Sequence, residues 1–300
     1  MKIIVFDIGG TSIKYGVLHE ENGDLIFIQK GEMQTEAILI KGTGIIQKVK
    51  EKIKEIQHIM DIDGVGISTA GMVNADDGSI IYANENIPEY TGMQIKASIE
   101  NDCKCPCWVE NDVNAAALGE CYFGRGKNKK DMMMVTIGTG IGSAVIINRN
   151  IYHGHSRSAG EIGYMIVNGK QFQNIASTSA LVNSVKETLK LEDIDGKMIF
   201  ERAKHKDVLC MEAIDHLCDN IVQGISSCIC LLNPELVILG GGIMMQEEYL
   251  QPVIGNYIKK YIQEEMQKNT AIVFAKLGND AGMMGAYANF MEREQTRFKQ

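Results

Sequence analysis

Long apolar runs are missing from this 300-residue chain, and no stretch approaches the ~18 residues that a membrane-spanning helix needs. The opening run Ile3 to Phe6 stops at Asp7, too soon for a secretory signal, so a cytoplasmic location is expected. Basic charge is also short: 30 Lys and Arg stand against 38 Asp and Glu, a net charge of -8, which argues against a nucleic-acid or acidic-membrane partner. Any phosphate must be held locally. The four prolines and the glycines are scattered, and no stretch of them reads as a flexible linker. Metal spacing is lacking too. Cys103-Lys104-Cys105-Pro106-Cys107 has no second pair to complete a zinc site, and it reads as a loop leading into a strand. Cys210, Cys218, Cys228 and Cys230 fall on apolar helical positions, where reduced thiols behave as small hydrophobes.

What is present is an ordinary globular composition, 45% hydrophobic and 23% charged, long enough for about two domains. Short buried strands are read at Ile3 to Phe6, Tyr15 to Leu18, Leu25 to Ile28, Gly64 to Ser68, Cys107 to Val109, Met132 to Ile137, Ala144 to Ile147, Leu236 to Leu239 and Ala271 to Phe274. Helical periodicity marks Ile45 to Ile59, Ala115 onward, Ser177 to Leu189, Lys197 to Ala203, Val208 to Leu232, Tyr249 to Glu264 and Met283 to Arg297. The boundary is placed near residue 113. It gives a first domain of residues 1–113 plus a C-terminal helix from about 288 to 300, and a second of 114–287 with a hinge between them.

The segment that organises the rest is Val109-Glu110-Asn111-Asp112-Val113-Asn114-Ala115-Ala116-Ala117, where a strand passes into a helix. In open α/β sheets the carboxyl ends of strands border the ligand crevice, and an acid in a first helical turn sees favourable backbone dipoles. An Asx pair here also serves as a plain helix cap. Two glycine-rich loops make the ligand reading the sharper one. Asp7-Ile8-Gly9-Gly10-Thr11-Ser12-Ile13-Lys14 lies between strands, so backbone N–H groups can approach an anion where no Cβ intervenes. Asp7 is placed to hold Mg2+ through water, with Thr11 and Lys14 toward phosphate oxygens. Gly138-Thr139-Gly140-Ile141-Gly142 repeats the strand–glycine–strand design, which suggests two related halves. Neither loop is followed by the helix of a dinucleotide fingerprint, nor by the Gly-Lys-Ser/Thr of a P-loop. Gly71 turns at the end of the Gly64 strand, on the edge of Asp112, and Asn86 lies in a loop within reach of a ligand. Glu161, bracketed by Gly160 and Gly163, suits either a hydroxyl-binding carboxylate or a plain solvent-exposed one, while Gly240-Gly241-Gly242 follow a buried strand and would let a flat base lie on backbone.

Taken in order from residue 3 to about 286, these segments, with Ala159-Gly160-Glu161-Ile162-Gly163 and Asn233-Pro234-Glu235, resemble those of ROK-family sugar kinases. The resemblance implies an α/β chain with the actin-like ATPase (ribonuclease H-like) fold, two domains closing over ATP and sugar in a cleft. It implies Asp112 as catalytic base and Asn111 and Glu161 on sugar hydroxyls. It also implies that Gly9, Gly10, Thr11, Gly138, Thr139 and Gly140 hold phosphates and that Gly240 to Gly242 border the nucleoside. Tyr164 stands where many members carry a histidine, and from Tyr164 to Val182 there is no cysteine or histidine, so no structural zinc is expected. Ile175 to Val182 is instead similar to zinc-less members such as β-glucoside kinases, and a substituted anomeric position at the sugar is expected to be tolerated.

The expected chemistry is transfer of the γ-phosphate of Mg-ATP to the 6-hydroxyl of a hexose or β-glucoside, in a homodimer. Glucokinase and N-acetylmannosamine kinase readings stand beside it. So does a sugar-binding regulator, although regulators of this family place a DNA-binding helix pair ahead of the first loop, which here begins seven residues in. An actin-like ATPase with no small substrate would hydrolyse ATP without sugar, and the Asn111, Asp112 and Glu161 set argues against it.

Overall fold

The computed structural model describes residues 1–297. In chain order the first half runs β1 (Lys2–Ile8), β2 (Ser12–Glu21), β3 (Asp24–Gln34), α1 (Ala37–Gln57), β4 (Gly64–Thr69), β5 (Met72–Asn74), β6 (Ser79–Tyr82), α2 (Ile95–Cys103), β7 (Cys107–Asn111) and α3 (Asp112–Phe123). The second half runs β8 (Met132–Ile137), β9 (Ile141–Ile147), β10 (Asn150–Ile151), β11 (Ile166–Val167), β12 (Lys170–Gln171), α4 (Gln173–Ala176), α5 (Thr178–Leu189), α6 (Gly196–Lys204), α7 (Val208–Leu232), β13 (Leu236–Gly240), α8 (Glu247–Tyr261), α9 (Glu264–Asn269), β14 (Ala271–Phe274) and α10 (Ala281–Arg297).

These elements form two compact units. One holds Met1–Lys127, His153–Ser158 and the described residues from Asn279 onward; the other holds Asn128–Tyr152 and Ala159–Gly278. Each contains a five-stranded sheet of one plan, β3-β2-β1-β4-β7 in the first and β10-β9-β8-β13-β14 in the second. In each, the leading strand forms an antiparallel hairpin on one side and pairs with parallel strands on the other. The parallel strands are covered on both faces, so they read as continuous apolar runs. Ile4, Phe6 and Ile8 of β1 join a core with Ile45, Val49 and Ile53 of α1, while Ile3 and Val5 pack with Met283, Ala286 and Phe290 of α10. The second unit's core is centred on α7, through Ile214, Leu217, Ile221 and Ile225.

Small residues set how closely the helices of the first unit approach. A Cβ on Gly285 of α10 would lie 1.6 Å from the carbonyl oxygen of Ala115, and one on Gly119 of α3 would lie 2.5 Å from that of Ala281. Asn114–Lys127 therefore packs with the first unit, whereas the sequence reading, with its second domain starting at residue 114, assigns it to the second. Of the C-terminal helix expected from about 288, residues 298–300 lie outside the described residues; the helix itself begins earlier, at Ala281.

Other details depart from the sequence reading. β3 continues past Ile28 to Gln34, because an edge strand alternates half-buried and exposed positions and tolerates Gln29, Lys30 and Glu32. Ile59 lies beyond α1 and is 67% exposed. α8 spans Glu247–Tyr261, starting at the acidic pair Glu247 and Glu248, which suits a helix N-terminus. Cys210, Cys218 and Cys228 are buried as expected, but Cys230 faces outward. Cys103, Cys105 and Cys107 are buried free thiols on the path from α2 through an αL turn at Lys104 into β7.

Candidate active site

Register brings the polar residues of the first unit to one sheet edge. β1, β4 and β7 run parallel with Asp7 beside Ser68, Ser68 beside Glu110 and Thr69 beside Asn111, so their carboxyl ends present these side chains together. Ser68 Oγ donates to Asp7 Oδ1 at 2.6 Å. Burial raises the Asp7 carboxyl pKa, with Ser68 and the Lys14 charge pulling the other way. The Cβ of any residue at position 282 would meet the Asp7 carboxyl carbon at 2.7 Å, so Gly282 of α10 leaves room for it.

Asn111 ends β7 and caps α3. Its Oδ1 accepts from the N–H groups of Val113 at 3.0 Å and Asn114 at 3.1 Å, satisfying two of the donors that open a helix. Its Nδ2 donates to Gly71 O and to Asp112 Oδ1, each at 2.9 Å. The cap and the ligand-side readings of the Asx pair are thus compatible. Asn111 does the capping, and Asp112 is left half-buried with a defined orientation. Asp112 Oδ1 also accepts from Val113 N at 2.9 Å, while no described residue bonds Oδ2. Desolvation, followed by the nearby Asp7 charge, pushes the Asp112 pKa up to about 6.

The first glycine loop is pinned from behind. Gly9 N donates to Ser12 O at 3.0 Å, Thr35 Oγ1 donates to Gly9 O at 2.7 Å, and Thr35 N donates to Thr11 O at 3.0 Å. Gly10 and Thr11 are exposed, as is Asn86, whose Cβ would lie 3.7 Å from a Cβ at Gly10. Gly71 takes φ +101, and a Cβ there would meet Tyr82 O at 2.9 Å, so this turn requires glycine. Tyr90, buried, shares a 2.7 Å hydrogen bond with Thr69 Oγ1 and fixes the loop carrying Asn86 beside the end of β4.

Within the second unit, β8 and β9 are joined through Gly138, Thr139 and Gly140, with Gly138 N donating to Gly140 O at 3.0 Å. Thr178 N donates to Gly138 O at 2.8 Å, tying the loop to the start of α5. Thr139 is exposed and Gly142 half-buried. The glycines around Glu161 pack on β9: Cβ atoms at Gly160 and Gly163 would meet Ser143 O and Ile141 O, each at 2.6 Å. Glu161 is thereby held next to the Gly138–Gly142 loop, exposed, with partial desolvation raising its pKa. Tyr164, at the end of the same turn, is 60% exposed. Gly240 closes β13; Gly241, at φ +102, would place a Cβ 2.2 Å from Ile137 O, and Gly242 has open space where a Cβ would stand.

Sequence reasoning missed Ser68, Thr35, Tyr90 and the pair Glu110 and His153. Glu110 is 1% exposed, and its Oε2 lies 2.8 Å from His153 Nε2. A carboxylate next to Asn111-Asp112 on an apolar strand is a signal for Glu110. Its histidine partner, in a loop 43 residues on, left none.

The chain matches the ROK family over residues 3–293. It is 49% identical to an uncharacterized protein of Clostridium perfringens, over 96% of this chain and 97% of that one. It is 29% identical to a beta-glucoside kinase of Listeria monocytogenes, over 98% and 99%. Among solved structures, a ROK family glucokinase from Streptomyces griseus in complex with glucose and AMPPNP superposes with a TM-score of 0.80 at 28% identity, covering 95% of this chain and 98% of that one.

Proposed function

The chain belongs to the ROK family and has its actin-like ATPase fold, and from that premise we propose that it is an ATP-dependent sugar kinase that phosphorylates the 6-hydroxyl of a hexose or β-glucoside. The names of its relatives, glucokinase and beta-glucoside kinase, support a carbohydrate kinase. The single observation that carries the mechanism is the unequal state of the Asp112 oxygens, Oδ1 held by two N–H donors and Oδ2 bonded by no described residue.

Oδ2 accepts the proton of the sugar's primary hydroxyl as that oxygen bonds to the γ-phosphorus and the bond from the γ-phosphorus to the β,γ-bridging oxygen breaks, releasing ADP. Oδ1, fixed by Asn111 and Val113, keeps the carboxylate aimed. A pKa of about 6 leaves the group mostly ionised at pH 7 yet more basic than an ordinary aspartate. Phosphoryl transfer asks a protein mainly to position groups and stabilise charge, a task assigned here to the backbone N–H groups of Gly9, Gly10, Thr11 and Gly138, Thr139, Gly140, with Lys14 toward the phosphates. Gly10, Gly138 and Gly242 need no glycine for their own packing: a Cβ at Gly10 makes only ordinary contacts and one at either of the others none within 4 Å. A close-approaching ligand gives their lack of a side chain a reason. Asp7 fits a water-mediated Mg2+ site, since one carboxylate at a loop edge suffices when phosphates supply further oxygens. When bound, that ion screens the charge of the β- and γ-phosphates. Asn111, Gly71 O, Asn86, Glu161 and Tyr164 are assigned to the sugar. Tyr164 in place of the family histidine favours glycosides over free hexoses.

The test compares ADP release with glucose, cellobiose, aryl β-glucosides, N-acetylmannosamine, N-acetylglucosamine and fructose in the native protein and in Asp112→Asn. Loss of about 10²- to 10⁴-fold in kcat with nucleotide binding intact is the expected result, and retained turnover would refute the assignment.

A further inference from the structure

We infer that His153 is a positioning residue for Asp112, acting through the buried carboxylate of Glu110. The assignment rests on the phosphotransfer reading of Asp112 and extends it to a residue that touches neither sugar nor nucleotide. Glu110 stands at the end of β7, 1% exposed, where an unsatisfied carboxylate is costly. Its Oε1 accepts from Asn111 N at 2.9 Å and from Asn114 Nδ2 at 3.0 Å. Those donors flank Asp112 in sequence, so one carboxylate oxygen ties down the turn on both sides of the proposed base.

The other oxygen, Oε2, takes a bond from His153 Nε2 at 2.8 Å, and the imidazole is 13% exposed. This requires the Nε2–H form of the ring. No other described residue bonds Oε2. His153 opens the short segment His153–Ser158, which packs with the first unit while its neighbours in sequence belong to the second. Near its far end the segment is held by an ion pair between Arg157 and Asp76, and Asp76 also meets Arg293. The two anchors differ in kind. Asp76 is 59% exposed, so the Arg157 pair is a solvated one of small worth, whereas the Glu110 pair is buried.

With the imidazole removed, Oε2 is left bare in a desolvated place, and Glu110 must turn to find a donor. That turn releases Asn111 N or Asn114 Nδ2. Asn111 in turn carries both the cap of α3 and the bond to Asp112 Oδ1, so Asp112 Oδ2 loses its aim. Small misplacements of a reacting group are costly in rate, of order 10²-fold for about 1 Å.

Four single variants and the His153→Ala/Glu110→Gln double variant decide the matter, each measured for kcat and KM with the best sugar and for amide hydrogen exchange over residues 110–114. His153→Ala is expected to lower kcat about 10- to 100-fold with sugar KM within about 3-fold, and to speed exchange at Asn111 and Asn114. His153→Gln, whose amide can donate to Oε2, is expected to recover most of both. Arg157→Ala should leave kcat within about 2-fold. Glu110→Gln should be impaired like His153→Ala, with the double variant no worse than either single one. Native kcat and native protection in His153→Ala, or a His153→Gln as impaired as the alanine variant, would overturn the proposal. Should His153→Ala fail to fold, the contrast between His153→Gln and Glu110→Gln carries the same test. If the native protein releases no ADP with any sugar, the kinase reading fails alone and the exchange measurements still decide the positioning.

Discussion

At Asp112 the chemistry turns on a second acid. Desolvation and the Asp7 charge both disfavour a carboxylate there, which sets its pKa near 6. Two measurements follow from the sign of that shift. The base works deprotonated, so kcat/KM should be level above pH 7 and fall about tenfold per unit below pH 6; a profile flat to pH 4.5 would remove Asp112 from the role. Because the folded-state pKa is raised, the charged form weakens the fold above about pH 6 and leaves it unaffected below the unfolded value of 3.8. Asp112→Asn should therefore be more stable than the native protein at pH 8, by about 1–3 kcal/mol in urea unfolding, with the gain gone near pH 4. Glycines give a second residue-scale prediction. Gly10→Ala and Gly138→Ala should unfold within about 0.5 kcal/mol of the native protein, since the added methyl meets no tight contact. ATP affinity, read by calorimetry, should fall at least tenfold in each.

At the scale of elements, α3 matters because Asn111 caps it and Asp112 opens its first turn, and what holds α3 is α10. Ala115, Gly119, Ala281 and Gly285 let the two backbones approach closely, and Gly282 of the same helix makes room for Asp7. Gly285→Ala puts a methyl 1.6 Å from the Ala115 carbonyl, an overlap only separation of the helices relieves. A loss of about 3 kcal/mol or more is expected in denaturant unfolding, together with loss of phosphotransfer. A variant of native stability would show that the helices do not meet this way. The run Asp280-Ala281-Gly282-Met283-Met284-Gly285-Ala286 is thus packing in service of the site.

The whole molecule is two units built on one strand order, each with a glycine hairpin at the edge of its leading strand. The eight cysteines are reduced thiols outside any disulfide, and of them Cys230 alone is exposed. A thiol reagent should consequently find one fast-reacting group in the native protein and all eight after unfolding in guanidinium, without reductant changing the unfolding midpoint. Two or more fast thiols in the native state would mean that the Cys103–Cys107 stretch or α7 opens to solvent.

The amino-acid order alone determined much here. Strand-length apolar runs, glycine pairs between strands, an Asx pair before an alanine helix and the order of the motifs were enough to identify the family and the fold. Such signals are local: a period, a turn, a cap, each written within a few residues. Local signals also left out how some residues are packed. Gly160, Gly163 and Gly241 are used for close packing against β9 and β8, and β3 runs on through polar residues because its edge position tolerates them. Only the tertiary structure decided that Ser68 bonds Asp7, that Asp7 raises Asp112, that Thr35 pins the first loop and that His153 meets Glu110. Those relations join residues up to 105 apart in sequence, through strand register and helix crossing. A carboxylate's neighbours, and so its basicity and its free oxygen, exist only once distant segments are packed around it.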